Sequence, residues 1–318
     1  MTTQDVSFPS MGSTARIVAE GGDAARAREF LAAFERRLTR FDERSELCAL
    51  NRSPQDVVPA SPLLRRAVRA ALWAAARSGG LVDPTILPAL RAAGYDRSRS
   101  GPELALGEAL LEAPARAAAA PDPAARWRGV SVDDQLGVVR RPPGVEIDSG
   151  GTGKGLAADL AAVPLQDADR FAVDCGGDMR VGGAGARRRP FEVLVRHPIT
   201  GEVARRIHLS DGAVATSGID VRLWRDASGE PAHHLLDPST GRPAWTGLVG
   251  ATALAPTALE AETLAKVALL SGPARALRVL ARHGGLVVRD DGEVMAAGRL
   301  RPRMIVTVPH DTLKRAAA

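Results

Sequence analysis

The sequence predicts an α+β protein: a mostly antiparallel sheet with helices packed against it. Three observations carry this. Short β-branched runs crowd the middle of the chain and arrive as hairpin-like pairs. Strands outnumber helices in the middle of the chain, with most of the helical periodicity before it and after Thr257. A regular βαβ alternation, which a doubly wound parallel sheet requires, is missing. With 318 residues and no internal repeat, the chain is expected to form one domain, 1–318, or two intimate subdomains.

The first helix is expected over Ala24–Leu38, where Phe30, Leu31, Phe34 and Leu38 make one apolar stripe. A second covers about Pro62–Arg77, and a third lies near Leu104–Leu111. Segment Ala113–Arg126 is rich in Ala and Pro and is either a surface connection or a weak helix. Strands follow at Val130–Val132, Val138–Val139, Val145–Ile147, Phe171–Val173, Phe191–Val195, Ala204–Leu209, Val214–Thr216 and Gly250–Leu254. Two late helices, Ala258–Leu270 and Gly272–His283, precede short strands near Leu286–Arg289 and Met304–Val308.

Composition narrows the function. No run of 18 or more apolar residues occurs, so no transmembrane helix is expected. Met1–Pro9 lacks a basic and then apolar leader, so no secretory signal is read and a cytoplasmic location is expected. Cys48 and Cys175 match no metal-ligand spacing; a disulfide between them is compatible with the sequence, but a reduced protein fits better. The net charge of +5 is dispersed, and aromatics amount to 3%, too few for a base-stacking platform. Nucleic acid is therefore not an expected partner. A mild positive field suits a phosphate-bearing small ligand equally well.

Lysine usage points to the chemistry. Three lysines stand against 39 arginines, and two of them, Lys154 and Lys266, sit in motif-like segments. A retained Lys hints at a place that wants a compact ammonium on a flexible stem. Lys154 lies in Ser149-Gly-Gly-Thr-Gly-Lys-Gly155, a glycine turn leading into a helix near Leu156–Ala162. Such a turn allows close backbone approach and offers helix N–H groups to a phosphate, although neither the Walker spacing nor G-x-G-x-x-G is met. Taken alone it is a tight structural turn or a ligand loop. Asp148, which opens it, is either a helix cap or a ligand contact. A second glycine cluster is Cys175-Gly-Gly-Asp178. In His233-His234-Leu-Leu-Asp237-Pro-Ser-Thr-Gly241 the two histidines point to opposite faces of a strand, so at most one is a general base.

These segments, in this order, resemble the FAD:protein FMN transferase family, also called the ApbE family. Met11-Gly-Ser-Thr14, Ser45-Glu-Leu-Cys-Ala-Leu-Asn51, Leu81-Val-Asp-Pro-Thr-Ile-Leu-Pro88, Asp148 to Asp159, Cys175-Gly-Gly-Asp178, Ala215-Thr-Ser-Gly218 and His234 to Gly241 are collinear with the family's motifs. The resemblance implies an α+β flavin-transferase fold with the FAD site between any two subdomains. It implies an enzyme that moves the FMN half of FAD onto a Thr or Ser hydroxyl of an acceptor protein, releasing AMP. The acceptor is expected to be a redox protein. Carried over, Met11, Phe41, Leu81, Val82, Asp83, Asp148, Lys154, Thr216 and Leu236 line the FAD site, and Asn51 helps hold the flavin side. Phe41 stands where a Tyr is usual. His234 is the base for the incoming hydroxyl, and the Gly151 carbonyl is a magnesium ligand.

The sequence departs from the pattern in the late helix. The family pattern supplies Asp and Thr oxygens to magnesium; this chain has Glu262 and, at the Thr position, Lys266. A protonated Lys cannot bind the metal. Either Lys266 pairs with Glu262 one turn away and fills the metal's place, or it points to solvent and Glu262, Gly151 and water hold the ion. Two other readings stay open: a non-catalytic FAD carrier, and an FAD pyrophosphatase in which water replaces the acceptor hydroxyl.

Overall fold

Strands that follow one another in the chain lie side by side in one eight-stranded sheet. Its order is Thr3–Ser10, Ser13–Glu20, Arg170–Cys175, Met179–Gly182, Gly212–Gly218, Leu248–Ala255, Gly285–Arg289, Val294–Ala297, and every neighbouring pair is antiparallel. The computed structural model describes residues 2–99 and 101–298. The strand expected near Met304–Val308, and Lys314, lie outside the described residues.

The expected antiparallel α+β architecture is what the chain adopts. Its site-building parts are insertions between sheet strands. The longest runs from Ala24 to Ala161 and holds the helices Ala24–Leu38, Glu46–Arg52, Pro62–Ser78, Leu87–Ala92, Leu106–Glu112 and Gly153–Ala161. The first two long helices match their expected spans and are locally encoded. Asp23 accepts from Arg26 N at the start of Ala24–Leu38. Pro62–Ser78 has Ser61 as N-cap, Pro at its first position and Gly79 in the left-handed region after it. Their buried faces, with Leu31, Phe34, Leu64 and Val68, pack in one core with Ile17, Leu156 and Val173. A second core gathers Trp245, Val249, Leu269 and Leu286.

Two expectations change, and between the two readings of Ala113–Arg126 the first holds. Val145–Ile147 forms no strand. Side chains play the neighbour's part: the Asn51 amide donates to Ile147 O and accepts from Ile147 N, each at 2.8 Å, and Arg141 donates to Val145 O at 2.7 Å. Ala113–Arg126 is a connection and not a helix, broken by prolines and tied by Ala117 N to Trp245 O and Ala119 N to Leu270 O. The last helix shortens to Pro273–Leu280: Gly272 precedes it with φ 71°, and its end gives way to turns at 281–283 before Gly284, whose φ is 98°.

The first hairpin, which periodicity did not single out, turns on Met11 and Gly12, with φ of 51° and 66°. Both values are positive, the type I′ geometry that matches strand twist. Gly12 adopts it freely; for Met11 it is strained, and such strain gathers at functional sites.

Candidate active site

The turn at Asp148 is held from three directions. Asn51 fixes Ile147 on one side, Asp148 N donates to Pro84 O at 2.8 Å, and Ser149 Oγ donates to Leu38 O at 3.1 Å. Behind it the buried Arg141 donates to Leu50 O and Ser53 O, satisfying carbonyls at the end of the helix Glu46–Arg52. The chain then enters the helix Gly153–Ala161, which has no side-chain N-cap. Gly153 and Lys154 at its start line a cavity of about 430 Å³, a size ordinary for small ligands.

One end of the cavity carries charge. The helices Gly153–Ala161 and Ala258–Leu270 touch at Gly155, where a Cβ would lie 2.5 Å from Ala258 O. Asp159 binds them further by accepting from Ala258 N and Leu259 N at 2.8 and 2.9 Å. This contact brings Glu262 to Gly155: Oε2 accepts from Gly155 N at 2.9 Å, and Oε1 accepts from Lys266 Nζ at 2.8 Å. Glu262 is fully buried, and the Lys266 side chain is 13% exposed. Lys154 points the same way, its Nζ near the turn at Gly176. Asp178 lies between the two lysines in the electrostatic sense. Burial, then the Glu262 charge, pushes its carboxyl up to about 8, while Lys266 and Lys154 oppose the rise.

The other end is aromatic. The Arg40 guanidinium stacks on Phe41 at 4.2 Å and on Tyr95 at 4.5 Å, and its Nε lies 3.3 Å from Asp148 Oδ1. Tyr95, the one tyrosine of the sequence, also stacks on buried Trp224 at 5.5 Å and meets the His234 ring edge-on at 6.2 Å. Arg40 Nη2 and Asp148 Oδ1 are buried without a hydrogen-bond partner in the protein. Burial raises the Asp148 carboxyl above its ordinary value, against the pull of Arg40.

The two histidines divide as expected. His233 ends the strand Pro231–His233, accepts from Leu235 N and packs edge-on against Trp245; burial pushes it down to about 3. Its Nε2 is also buried without a hydrogen-bond partner, but it does not line the cavity that His234 lines. His234 lines the cavity, its backbone-bonded ring leaving Nδ1 buried and unpartnered. Burial, with His233, Lys154 and Lys266 nearby, lowers it well below the ordinary imidazole value. A neutral ring with a free ring nitrogen is a proton acceptor.

Met11, Phe41, Leu81, Val82, Asp83, Asp148, Gly151, Lys154, Thr216, His234, Leu236, Glu262 and Lys266 all line this cavity. Asn51 does not: both ends of its amide are committed to Ile147, so it supports the turn from behind. Arg40, Tyr95, Ser98, Arg99, Asp178 and Arg222 line it without having been singled out as contacts. For Asp178 the Gly-Gly-Asp turn was a signal; Arg40 and Tyr95 belong to no motif.

Lys266 is not in solvent, which removes that alternative. The magnesium ion that the resemblance implies needs oxygen donors free to converge at about 2.0–2.1 Å. Both Glu262 oxygens are engaged, one of them by an ammonium. Among the described residues no group of three or more His, Cys, Asp or Glu could hold a metal ion. These residues do not fit magnesium at Glu262. Cys48 and Cys175 are free thiols, and no described helix is long and apolar enough to cross a membrane.

The chain is similar to known proteins. The FAD:protein FMN transferase of Salmonella typhimurium is 29% identical over 301 residues, 89% of this chain and 83% of that protein. That of Treponema pallidum is 29% identical over 262 residues, 77% of this chain and 70% of that one. The crystal structure of the ApbE protein of Thermotoga maritima matches with a TM-score of 0.75 at 26% identity, covering 93% of this chain and 97% of that one. The flavinyl transferase ApbE of Pseudomonas stutzeri shares the fold, with a TM-score of 0.72 at 21% identity and coverage of 93% and 95%. Residues 11–288 match the family model throughout, and the chain belongs to the ApbE family.

Proposed function

We propose that this chain is an FAD:protein FMN transferase, with FAD as substrate and a Thr or Ser hydroxyl of an acceptor protein, expected to be a redox protein, as the flavin's destination. Membership of the family carries the activity. The observation that carries the mechanism is His234, which lines the cavity that Lys154 and Lys266 also line and whose buried Nδ1 has no hydrogen-bond partner.

The reaction is a displacement at phosphorus, in which positioning and neutralisation of the pyrophosphate do most of the work. The acceptor oxygen attacks the phosphorus on the FMN side. A P–O bond forms to the acceptor, the bond to the bridging oxygen breaks, and AMP leaves with that oxygen. His234 takes the hydroxyl proton. Lys154 and the free N–H groups of the helix Gly153–Ala161 bind phosphate oxygens. Phe41, Tyr95 and Arg40 offer stacking surface and a guanidinium donor for a planar ring system. No step is assigned to magnesium, because Lys266 and Gly155 hold the Glu262 carboxylate.

Incubation of the chain with FAD and an acceptor domain, read as flavin fluorescence on the acceptor band in a denaturing gel, tests this. Transfer with AMP release is expected, and His234→Ala should lower its rate by about 10²–10⁴-fold while FAD still binds. Intact FAD with no transfer would make the chain a carrier, FMN and AMP without acceptor labelling would make it a pyrophosphatase, and transfer undiminished in His234→Ala would remove the base assignment.

A further inference from the structure

We infer that the ammonium of Lys266 is the resident cation of the cavity's phosphate end, so that this chain holds the pyrophosphate of its dinucleotide without a divalent metal at Glu262. The inference rests on the reading of FAD as substrate for what the cation neutralises, and on geometry for where it sits.

Glu262 and Lys266 are one helical turn apart on Ala258–Leu270, and the 2.8 Å contact between them is a charge-assisted hydrogen bond in a nearly closed site. Glu262 cannot turn away to serve an ion elsewhere. Its second oxygen receives Gly155 N–H, and the Gly155–Ala258 contact is too close to slide. The longer arm of Glu, compared with Asp, is used to span the gap between the two helices. A dication beside this carboxylate would face the ammonium at close range, with repulsion little screened by water.

The ammonium is also free to act on a ligand. Glu262 takes one of its three N–H donors, and Lys266 lines the cavity that Lys154 lines from the facing helix. Its field reaches Asp148, Asp178 and His234. Glu262 offsets one of the two lysine charges, so the pair keeps a net positive charge and spare N–H donors for a pyrophosphate. In a chain that writes 39 of its 42 basic residues as Arg, the compact ammonium recurs at the two lysines that line this cavity.

Manganese binding followed by electron paramagnetic resonance, with and without FAD, tests the inference directly on the unaltered chain. The expected result is no tightly held Mn²⁺, and an FAD affinity, read by flavin fluorescence, that shifts by less than about twofold between EDTA and Mg²⁺. In Lys266→Thr, checked for its melting temperature, FAD affinity in EDTA should fall by about tenfold or more and recover with Mg²⁺. One tightly held Mn²⁺ on the unaltered chain, undiminished in strength by the presence of Lys266 when compared with Lys266→Ala, would overturn it. A chain that binds no FAD at all would sink the transferase reading instead, and the manganese titration would still decide the fate of Lys266.

Discussion

The charged end of the cavity and the aromatic end solve the same problem in opposite ways. At the end lined by Lys154, Lys266, Glu262 and Asp178, the protein fixes its own charged groups: Glu262 accepts from Lys266 and from Gly155 N, and two helices touching at Gly155 set the spacing. At Arg40, Phe41, Tyr95 and Asp148, the rings are stacked but the polar atoms are incomplete: Arg40 Nη2 and Asp148 Oδ1 are buried without a hydrogen bond, although Arg40 Nε lies 3.3 Å from that oxygen. Buried polar groups are normally satisfied. The contrast teaches that one end is set rigidly by the protein's own hydrogen bonds, with lysine donors to spare, and the other leaves buried polar atoms to be completed by a ligand with its own donors and acceptors. His234 stands between them, touching Tyr95 on one side and feeling both lysines on the other.

Breaking the rigid end should have the largest effect. Gly155→Ala places a methyl 2.5 Å from Ala258 O. Overpacking of this kind costs about 1–3 kcal/mol, and forcing the helices apart also withdraws Gly155 N from Glu262. A clear fall in melting temperature together with weakened FAD binding is expected; a variant that melts and binds like the parent would show that the two helices do not set the charge spacing.

Breaking the incomplete end should cost binding more than stability. Arg40→Ala removes a stacked guanidinium already short of partners, so FAD affinity should fall by about tenfold. Calorimetric titration measures this, and equal affinity in the two proteins would mean that the unpaired Arg40 Nη2 awaits no ligand atom.

The smallest effect expected is the absence of one. A group held well below the ordinary imidazole value stays neutral at acidities where a free histidine is half protonated. The transfer rate should therefore stay level as pH falls from about 7.5 through about 6.5. Asp178, pushed up to about 8, titrates on the alkaline side and is separated from His234 by comparison with Asp178→Asn. A rate that halves near pH 6.5 in both proteins would place His234 in a wetter setting than the burial of its ring allows.

Local signals account for what was readable. The helices Ala24–Leu38 and Pro62–Ser78 announce themselves by apolar periodicity and by caps at Asp23, Ser61 and Gly79. Ala258–Leu270 was bounded correctly because Thr257 caps it and its sequence favours helix throughout. The hairpin of Thr3–Ser10 and Ser13–Glu20 carries only a weak alternation in its second strand, where two of the three buried positions, Ala15, Ile17 and Ala19, are alanines. Val145–Ile147 misled for the opposite reason. Its apolar residues are buried as in a strand, but an amide 96 positions away in the chain supplies the hydrogen bonds.

The sequence by itself determined the antiparallel α+β class, the two late helices and the set of turns that meet around Asp148, because propensity, capping and motif order are written within a few residues of one another. Only the tertiary structure decided that Lys266 turns inward to Glu262, that Asn51 braces Ile147 instead of facing the cavity, and that Arg40 and Tyr95 belong to the site. Each of these depends on which side chains packing brings together across tens to hundreds of residues, and on what burial does to their charge.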